Sequence, residues 1–278
     1  MRVLLTGGRG QLGTAIRALA KSWAWELFAP DKRELDITQS RDVLEACWKL
    51  QPEVIINAAA YTAVDKAESE PEQAFLVNAQ AVAFLAKAAN DVGALLVQIS
   101  TDYVFDGRSS LPYREKDEPN PLSVYGKSKL RGEQAARTAR EHLVIRTSWL
   151  FGNGWNFVEA IRKQLANGAK VLRVVADQKG RPTFAPDLAR VIARLVEKGE
   201  RGLFHAANSG TATWAEFAGE IVAQLGLAAP VVPISTEEAN RPAPRPSYSV
   251  LDTSRLEAVT GPLPDWQNAL SRYLSGSL

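Results

Sequence analysis

The stretch Arg2-Val-Leu-Leu-Thr-Gly-Gly-Arg-Gly-Gln-Leu-Gly13 decides the fold. Arg2 to Leu5 reads as a short strand that runs into glycines. Leu12, Ile16 and Leu19 then recur at helical spacing. A strand passing through a glycine turn into a helix opens a βαβ unit. Gly7, Gly10 and Gly13 stand three apart. Glycine permits the tight turn and lets a pyrophosphate approach the backbone. The helix N-terminus then offers free N–H groups to those phosphates. The spacing is GxxGxxG rather than GxGxxG, so the placement between strand and helix carries the reading.

Outward from this turn the pattern repeats. Leu27 to Ala29 is a candidate strand, followed by a helix from Ser40 to Leu50 with Ser40 as its N-cap. Glu53 to Asn57 reads as a buried strand, Glu72 to Val92 as one long alanine-rich helix that stops at Gly93. Ala94 to Ser100 is a strand, Ser123 to Arg140 a helix and His142 to Arg146 a strand. Strands alternating with helices predict an α/β, Rossmann-like, doubly wound parallel sheet over residues 1–150. Residues 151–278 read as a smaller C-terminal lobe, with about 185–210 as a stretch that returns to the first domain. Ligands of such sheets sit beyond the carboxyl ends of the strands.

Composition narrows the chemistry. The 278 residues are 46% hydrophobic and 23% charged, which is ordinary globular usage. Net charge is +2, so nothing favours a nucleic-acid or anionic-membrane partner. One cysteine excludes an intrachain disulfide and a redox pair, and His142 and His205 make a poor basis for a metal site. No apolar run is long enough to span a bilayer, and glycines interrupt the first apolar run where a signal peptide would continue. A cytoplasmic protein is therefore expected, with chemistry from hydroxyls, lysines, carboxylates or a cofactor.

Tyr125-Gly-Lys-Ser-Lys129 supplies that chemistry. Residues four apart share a helix face, and a lysine beside a tyrosine favours the phenolate. Ser100-Thr-Asp102 ends the preceding strand. Thr101 would hydrogen-bond a substrate oxygen, Tyr125 would donate a proton and Lys129 would orient and tune it. With a nicotinamide at the glycine turn, this constellation is a carbonyl reductase. NAD enzymes place an acid about 20 residues past the glycines to bind ribose. Asp31 and Asp36 both qualify, while Lys32 and Arg33 suit a 2′-phosphate. These residues leave NAD and NADP both open.

The glycine turn, Thr101, Tyr125 and Lys129 together resemble the extended short-chain dehydrogenase/reductase superfamily. Within it, the chain is similar to the dTDP-4-dehydrorhamnose reductase family. The segments that carry this are Thr6–Gly13, Asn57–Glu68, Ser100–Gly107, Tyr125–Lys129, Arg146–Trp149, Asp177–Thr183 and Arg245–Asp252. The resemblance implies reduction of the C4 ketone of dTDP-4-dehydro-6-deoxy-L-mannose to dTDP-L-rhamnose, with NADPH, the favoured cofactor, or NADH. It implies a cofactor site of Gly7, Gly10, Gln11, Leu12, Gly13, Asp36, Ile37, Ala58, Ala59, Ala60, Tyr61, Tyr125 and Lys129. Asp36 rather than Asp31 is the matching acid at the adenosine end. It places Thr101, Asp102, Tyr103 and Trp149 toward the sugar, with Asn156, Arg181 and Arg245 toward the diphosphate. Some members dimerise around a magnesium ion held by glutamates. Here Thr14 and Ala15 follow Gly13, so no magnesium is expected there and a monomer or weak homodimer is. Two other readings remain: another nucleotide-sugar epimerase or dehydratase, against which Asp102-Tyr103 lacks an acid pair, or a non-catalytic NADP-binding regulatory subunit. Cys47 and the tryptophans other than Trp149 read as packing residues.

Overall fold

The computed structural model describes residues 1–277. Its main sheet has six strands. Five are β1 (Arg2–Thr6), β2 (Glu26–Phe28), β3 (Val54–Asn57), β4 (Leu95–Thr101) and β5 (His142–Thr147), and the sixth is Gly202–His205. Their spatial order is Gly202–His205, β5, β4, β3, β1, β2, and every neighbouring pair is parallel. The chain leaves β1 for β2 on one side and returns to β3 on the other. The sheet order therefore reverses between β1 and β3, where open α/β sheets take their ligands.

Side-chain alternation makes the sheet doubly wound. Val3, Leu5, Ile56, Val97 and Ile145 face a core shared with α1 (Gln11–Leu19) and the helix Ala185–Glu197. Leu4, Ile55, Leu96 and Val144 face the opposite core, with α2 (Ser40–Leu50) and the helix Ala81–Val92. A two-residue period feeding two helical layers buries both faces of the inner strands β1, β3, β4 and β5, while the edge strand β2 stays exposed. Residues Ala185–Glu197 and Gly202–His205 thus lie in the main sheet's layers, although the chain has by then left for a second core. That second core gathers Phe151, Val158, Ile161, Leu172, Phe217, Ile221 and Trp266.

Local differences from the sequence reading have physical causes. Gln39, not Ser40, is the N-cap of α2, and no side chain caps it. The long helix predicted over Glu72 to Val92 is interrupted by a π-helical turn at Leu76–Gln80. Its buried Asn78 accepts from Tyr61 N at 2.8 Å and donates to Tyr61 O at 3.0 Å and to Ser128 Oγ at 2.9 Å. One amide side chain thereby ties the loop after β3 to the helix of Tyr125. A π turn carries the extra residue that makes room for this. Trp48 and Trp155 are exposed rather than packed, at 60% and 67%. Cys47 is fully buried in the α2-side core.

Candidate active site

Two cavities share the carboxyl edge of the sheet, both bounded by Arg9, Gly10 and Ala58–Ala60. The first, about 750 Å³, is lined by Gly7, Asp31, Lys32, Arg33, Asp36, Ile37 and Tyr61 among others. The second, about 470 Å³, is lined by Gln11, Leu12, Thr101, Asp102, Tyr125, Lys129 and Trp149 among others. The glycine turn forms their common floor. Gly7 has φ +70° and packs on the loop after β3, so that a Cβ would lie 2.5 Å from Ala59 N. Gly13 lines neither cavity. It lies behind the turn, where a Cβ would meet Gly7 O at 2.2 Å. No side chain caps α1, which leaves its first N–H groups to a ligand. A turn too tight for Cβ atoms, an uncapped helix end and an elongated cavity fit a dinucleotide pyrophosphate.

At the far end of the first cavity two acids take different tasks. Asp36 holds its own turn, accepting from Thr38 N at 3.0 Å and Thr38 Oγ1 at 2.8 Å. Asp31 follows β2 and pairs with Arg9. Lys32 and Arg33 line the same space.

In the second cavity the proton-handling trio converges from two elements. Thr101 ends β4, and Tyr125 and Lys129 stand one turn apart on the helix Val124–Ala136. Ser123 caps that helix, accepting from Gly126 N at 3.1 Å. Thr101 and Tyr125 line the same cavity. Thr101 Oγ1 donates to Asp102 Oδ1 at 3.0 Å, and Ser249 Oγ donates to Asp102 Oδ2 at 2.5 Å. Burial holds the Tyr125 phenol up at about 12, against the Thr101 contact. The sequence reading expected Lys129 to favour the phenolate. Its Nζ instead donates to Ile99 O at 2.6 Å, and burial pushes its ammonium down to about 8. The phenol therefore rests protonated, ready to donate.

Burial also raises the Asp102 carboxyl to about 7, opposed by the bonds from Ser249 and Thr101. Its folded pKa lies above the unfolded one of about 4. The stability it contributes is thus full below that unfolded value and is lost as pH rises through about 7. Asp102→Asn, neutral throughout, should flatten this dependence. Its melting temperature should gain on the wild type's between about pH 4 and about pH 8. Parallel melting profiles of the two proteins would contradict this.

The remaining predicted residues are used by the protein itself. Tyr103 lines neither cavity; its ring packs edge-on against Tyr125 at 5.8 Å. Trp149 lines the second cavity and stacks on Trp214 at 3.6 Å. Asn156 caps the helix Phe157–Ala166 and donates to Gly152 O and Gly154 O, so its amide is occupied. Arg181 donates to Thr253 Oγ1 at 2.9 Å. Arg245 grips Asp65 at 2.9 and 3.0 Å and donates to Ala243 O at 2.9 Å, with its charge felt at Tyr103. Asn78, Ser249 and Glu133 were missed. Only Glu133 left a trace, recurring one turn beyond Lys129. Among the described residues no cluster of three or more His, Cys, Asp or Glu could hold a metal ion, and no helix is long and apolar enough to cross a membrane.

Known proteins are similar to this chain over nearly its whole length. The chain is 40% identical over 275 residues to the spore coat polysaccharide biosynthesis protein SpsK of Bacillus subtilis, covering 98% of this chain and 96% of that one. It is 42% identical over 285 residues to the dTDP-4-dehydrorhamnose reductase of Aggregatibacter actinomycetemcomitans, covering 97% of each. A crystal structure of the Bacillus anthracis dTDP-4-dehydrorhamnose reductase in complex with NADP superposes with a TM-score of 0.96 at 36% identity, covering 99% of both chains. The RmlD substrate binding domain family matches residues 1–277. The family match over residues 1–277 and these coverages show that the chain belongs to the RmlD substrate binding domain family and is similar over nearly its whole length to dTDP-4-dehydrorhamnose reductases.

Proposed function

We propose that this chain is a nicotinamide-dependent reductase that converts the C4 ketone of dTDP-4-dehydro-6-deoxy-L-mannose to the alcohol of dTDP-L-rhamnose. One observation supports it most: Thr101, Tyr125 and Lys129 line a single cavity that continues into the glycine turn. The kinship with dTDP-4-dehydrorhamnose reductases supplies the substrate class. The bound nicotinamide supplies the hydride. Gly7, Gly10, Gln11, Leu12 and Gly13 shape the turn and the α1 N-terminus that hold the pyrophosphate. Asp36, Ile37 and Ala58–Tyr61 line the remainder of that path. Asp31, Arg9, Lys32 and Arg33 stand at its far end, and three cations there favour NADPH through its 2′-phosphate.

Thr101 orients the ketone oxygen beside Tyr125. The Tyr125 phenol donates its proton to that oxygen, which would otherwise have to carry a full negative charge in a water-poor cavity. Lys129 fixes the helix turn against β4 and brings a positive charge to the side where the phenolate develops. Asp102 and Trp149 face the sugar, and Arg245, joined to the site through Tyr103, serves the diphosphate in exchange for Asp65. Residues 1–150 with the returning 185–210 form the cofactor domain, and the rest of 151–278 carries the substrate lobe. A cytoplasmic monomer or weak homodimer completes the reading.

Purified protein mixed with dTDP-4-dehydro-6-deoxy-L-mannose should oxidise NADPH faster than NADH, followed by the absorbance of the reduced nicotinamide. Binding of cofactor without any oxidation in either mixture would overturn the reading in favour of a regulatory subunit.

A further inference from the structure

Behind the cavity lies a charged cluster that the mechanism above does not use. Glu133 and Arg146 are buried to 0% and 1% exposure. The pair is doubly bonded: Arg146 Nε donates to Glu133 Oε1 at 2.8 Å and Nη2 to Oε2 at 2.7 Å. Ser100 Oγ donates to Oε1 at 2.5 Å, and the half-exposed Arg137 stands 3.6 Å from Oε2. On its other side Arg146 meets the Phe105 face at 5.0 Å and His205 Nε2 at 3.4 Å. The cluster has a definite relation to the trio. Tyr125, Lys129 and Glu133 succeed one another at one-turn intervals on the same helix face. Ser100 immediately precedes Thr101 on β4, and Arg146 lies on β5 beside Ser100. One carboxylate therefore joins the helix, β4 and β5 directly behind the reacting groups.

Buried ion pairs seldom justify themselves by stability, because desolvation offsets their attraction. A positional and electrostatic task explains this one better. Lys129 is itself nearly dry, at 4% exposure, and its ammonium has a single carbonyl partner, Ile99 O. The charged or titratable groups that face it are Tyr125 and Glu133 on its own helix, Asp102 beyond β4, and Arg146 on β5 with His205 behind. Of these Glu133 is the anion that favours its charge, and Arg146 draws on the same carboxylate.

We propose that Glu133 is a positioning residue for the reduction: its carboxylate, fixed by Ser100 and Arg146, keeps the Lys129 ammonium charged and aligned beside Tyr125. This rests on the reductase reading for its catalytic consequence, but the charge on Lys129 can be read without turnover. Lys129 faces a cavity that small reagents enter, so acetic anhydride labelling across pH, read by mass spectrometry of its peptide, reports its titration midpoint.

Glu133→Gln should lower that midpoint by about one pH unit, the low end of what an opposite charge does, because Arg146 shares the carboxylate. Arg146→Gln should raise it. Glu133→Asp should keep it within about half a unit of wild type, even with a lower melting temperature. In turnover, the alkaline limb of kcat against pH should move with the midpoint while KM for NADPH holds. A purely structural role predicts no opposite shifts from the two Gln variants. Should Glu133→Gln fail to fold, the direction in Arg146→Gln and the constancy in Glu133→Asp still decide the matter. An unmoved midpoint in Arg146→Gln overturns the proposal, and so does one in Glu133→Gln. Absence of turnover in the wild type would count against the reductase reading alone, because the labelling midpoints stand apart from it.

Discussion

Replacing Tyr125 by Phe should lower kcat for ketone reduction by at least about a hundredfold while NADPH still binds, because general acid catalysis contributes on that order. A hundredfold loss corresponds to about 2.7 kcal/mol of transition-state stabilisation. The variant removes one oxygen and leaves the ring, so its edge-on contact with Tyr103 at 5.8 Å persists and no large void opens. The lost atom is the donor itself, held protonated at neutral pH by burial that keeps it near about 12. Thr101 cannot take over, since an aliphatic hydroxyl is a far weaker acid than a phenol and can share its proton in a hydrogen bond but not give it up to the ketone oxygen. Steady-state kinetics and a cofactor titration together test this. Turnover near that of wild type would remove Tyr125 from the mechanism, and a parallel loss of NADPH affinity would make the effect structural.

Gly7→Ala should affect stability and cofactor binding at once. At φ +70° an alanine adopts the left-handed region at about 1–2 kcal/mol. Its methyl would also sit 2.5 Å from Ala59 N and 2.6 Å from the Ala58 carbonyl carbon, both backbone atoms that cannot swing aside. Overpacking of this kind costs about 1–3 kcal/mol. Together they imply a fall of roughly 3–9 °C in melting temperature for a chain of this size. NADPH affinity should drop at least about tenfold, because the displaced atoms are the floor of the pyrophosphate path. Gly219→Ala is the control: in the helix Trp214–Gln224 a Cβ there meets nothing within 4 Å. It should hold or raise the melting temperature by reducing unfolded-state entropy. Equal melting temperatures for both variants would show that the close approach at Gly7 is not limiting.

How far the sequence revealed this molecule depended on how local each signal was. The glycine turn and the strand alternation are written within a few residues and appear as read, and Tyr125 and Lys129 stand one turn apart on a helix that borders the cavity of Thr101. Thr101 was found because strand ends in this topology point to ligands. The contacts that fix the other candidates span the chain. Asp65 grips Arg245 from 180 positions away, and Ser249 reaches Asp102 across 147. No periodicity encodes such pairs, so Arg245 read as a free guanidinium. Asn156 has a local task that the sequence also carries. It stands where a helix begins, and capping is what asparagine does there. The π turn at Asn78 was hidden inside an alanine-rich run whose composition suits an unbroken helix.

The order in which the main sheet is assembled bears on how the chain is made. β5 gains its outer neighbour only when Gly202–His205 pairs with it, after the chain from Phe151 to Phe184 has passed through the other core. The helix Ala185–Glu197 covers Leu188 and Ile192 against the sheet in the same late step. A fragment ending near residue 150 would present Leu143 and Ile145 on an open, hydrophobic edge, the kind that pairs with other chains. On the ribosome the nucleotide-binding half cannot close until His205 has emerged. Nascent chains stalled before that point should be the ones that need a chaperone, and those stalled well beyond it should not.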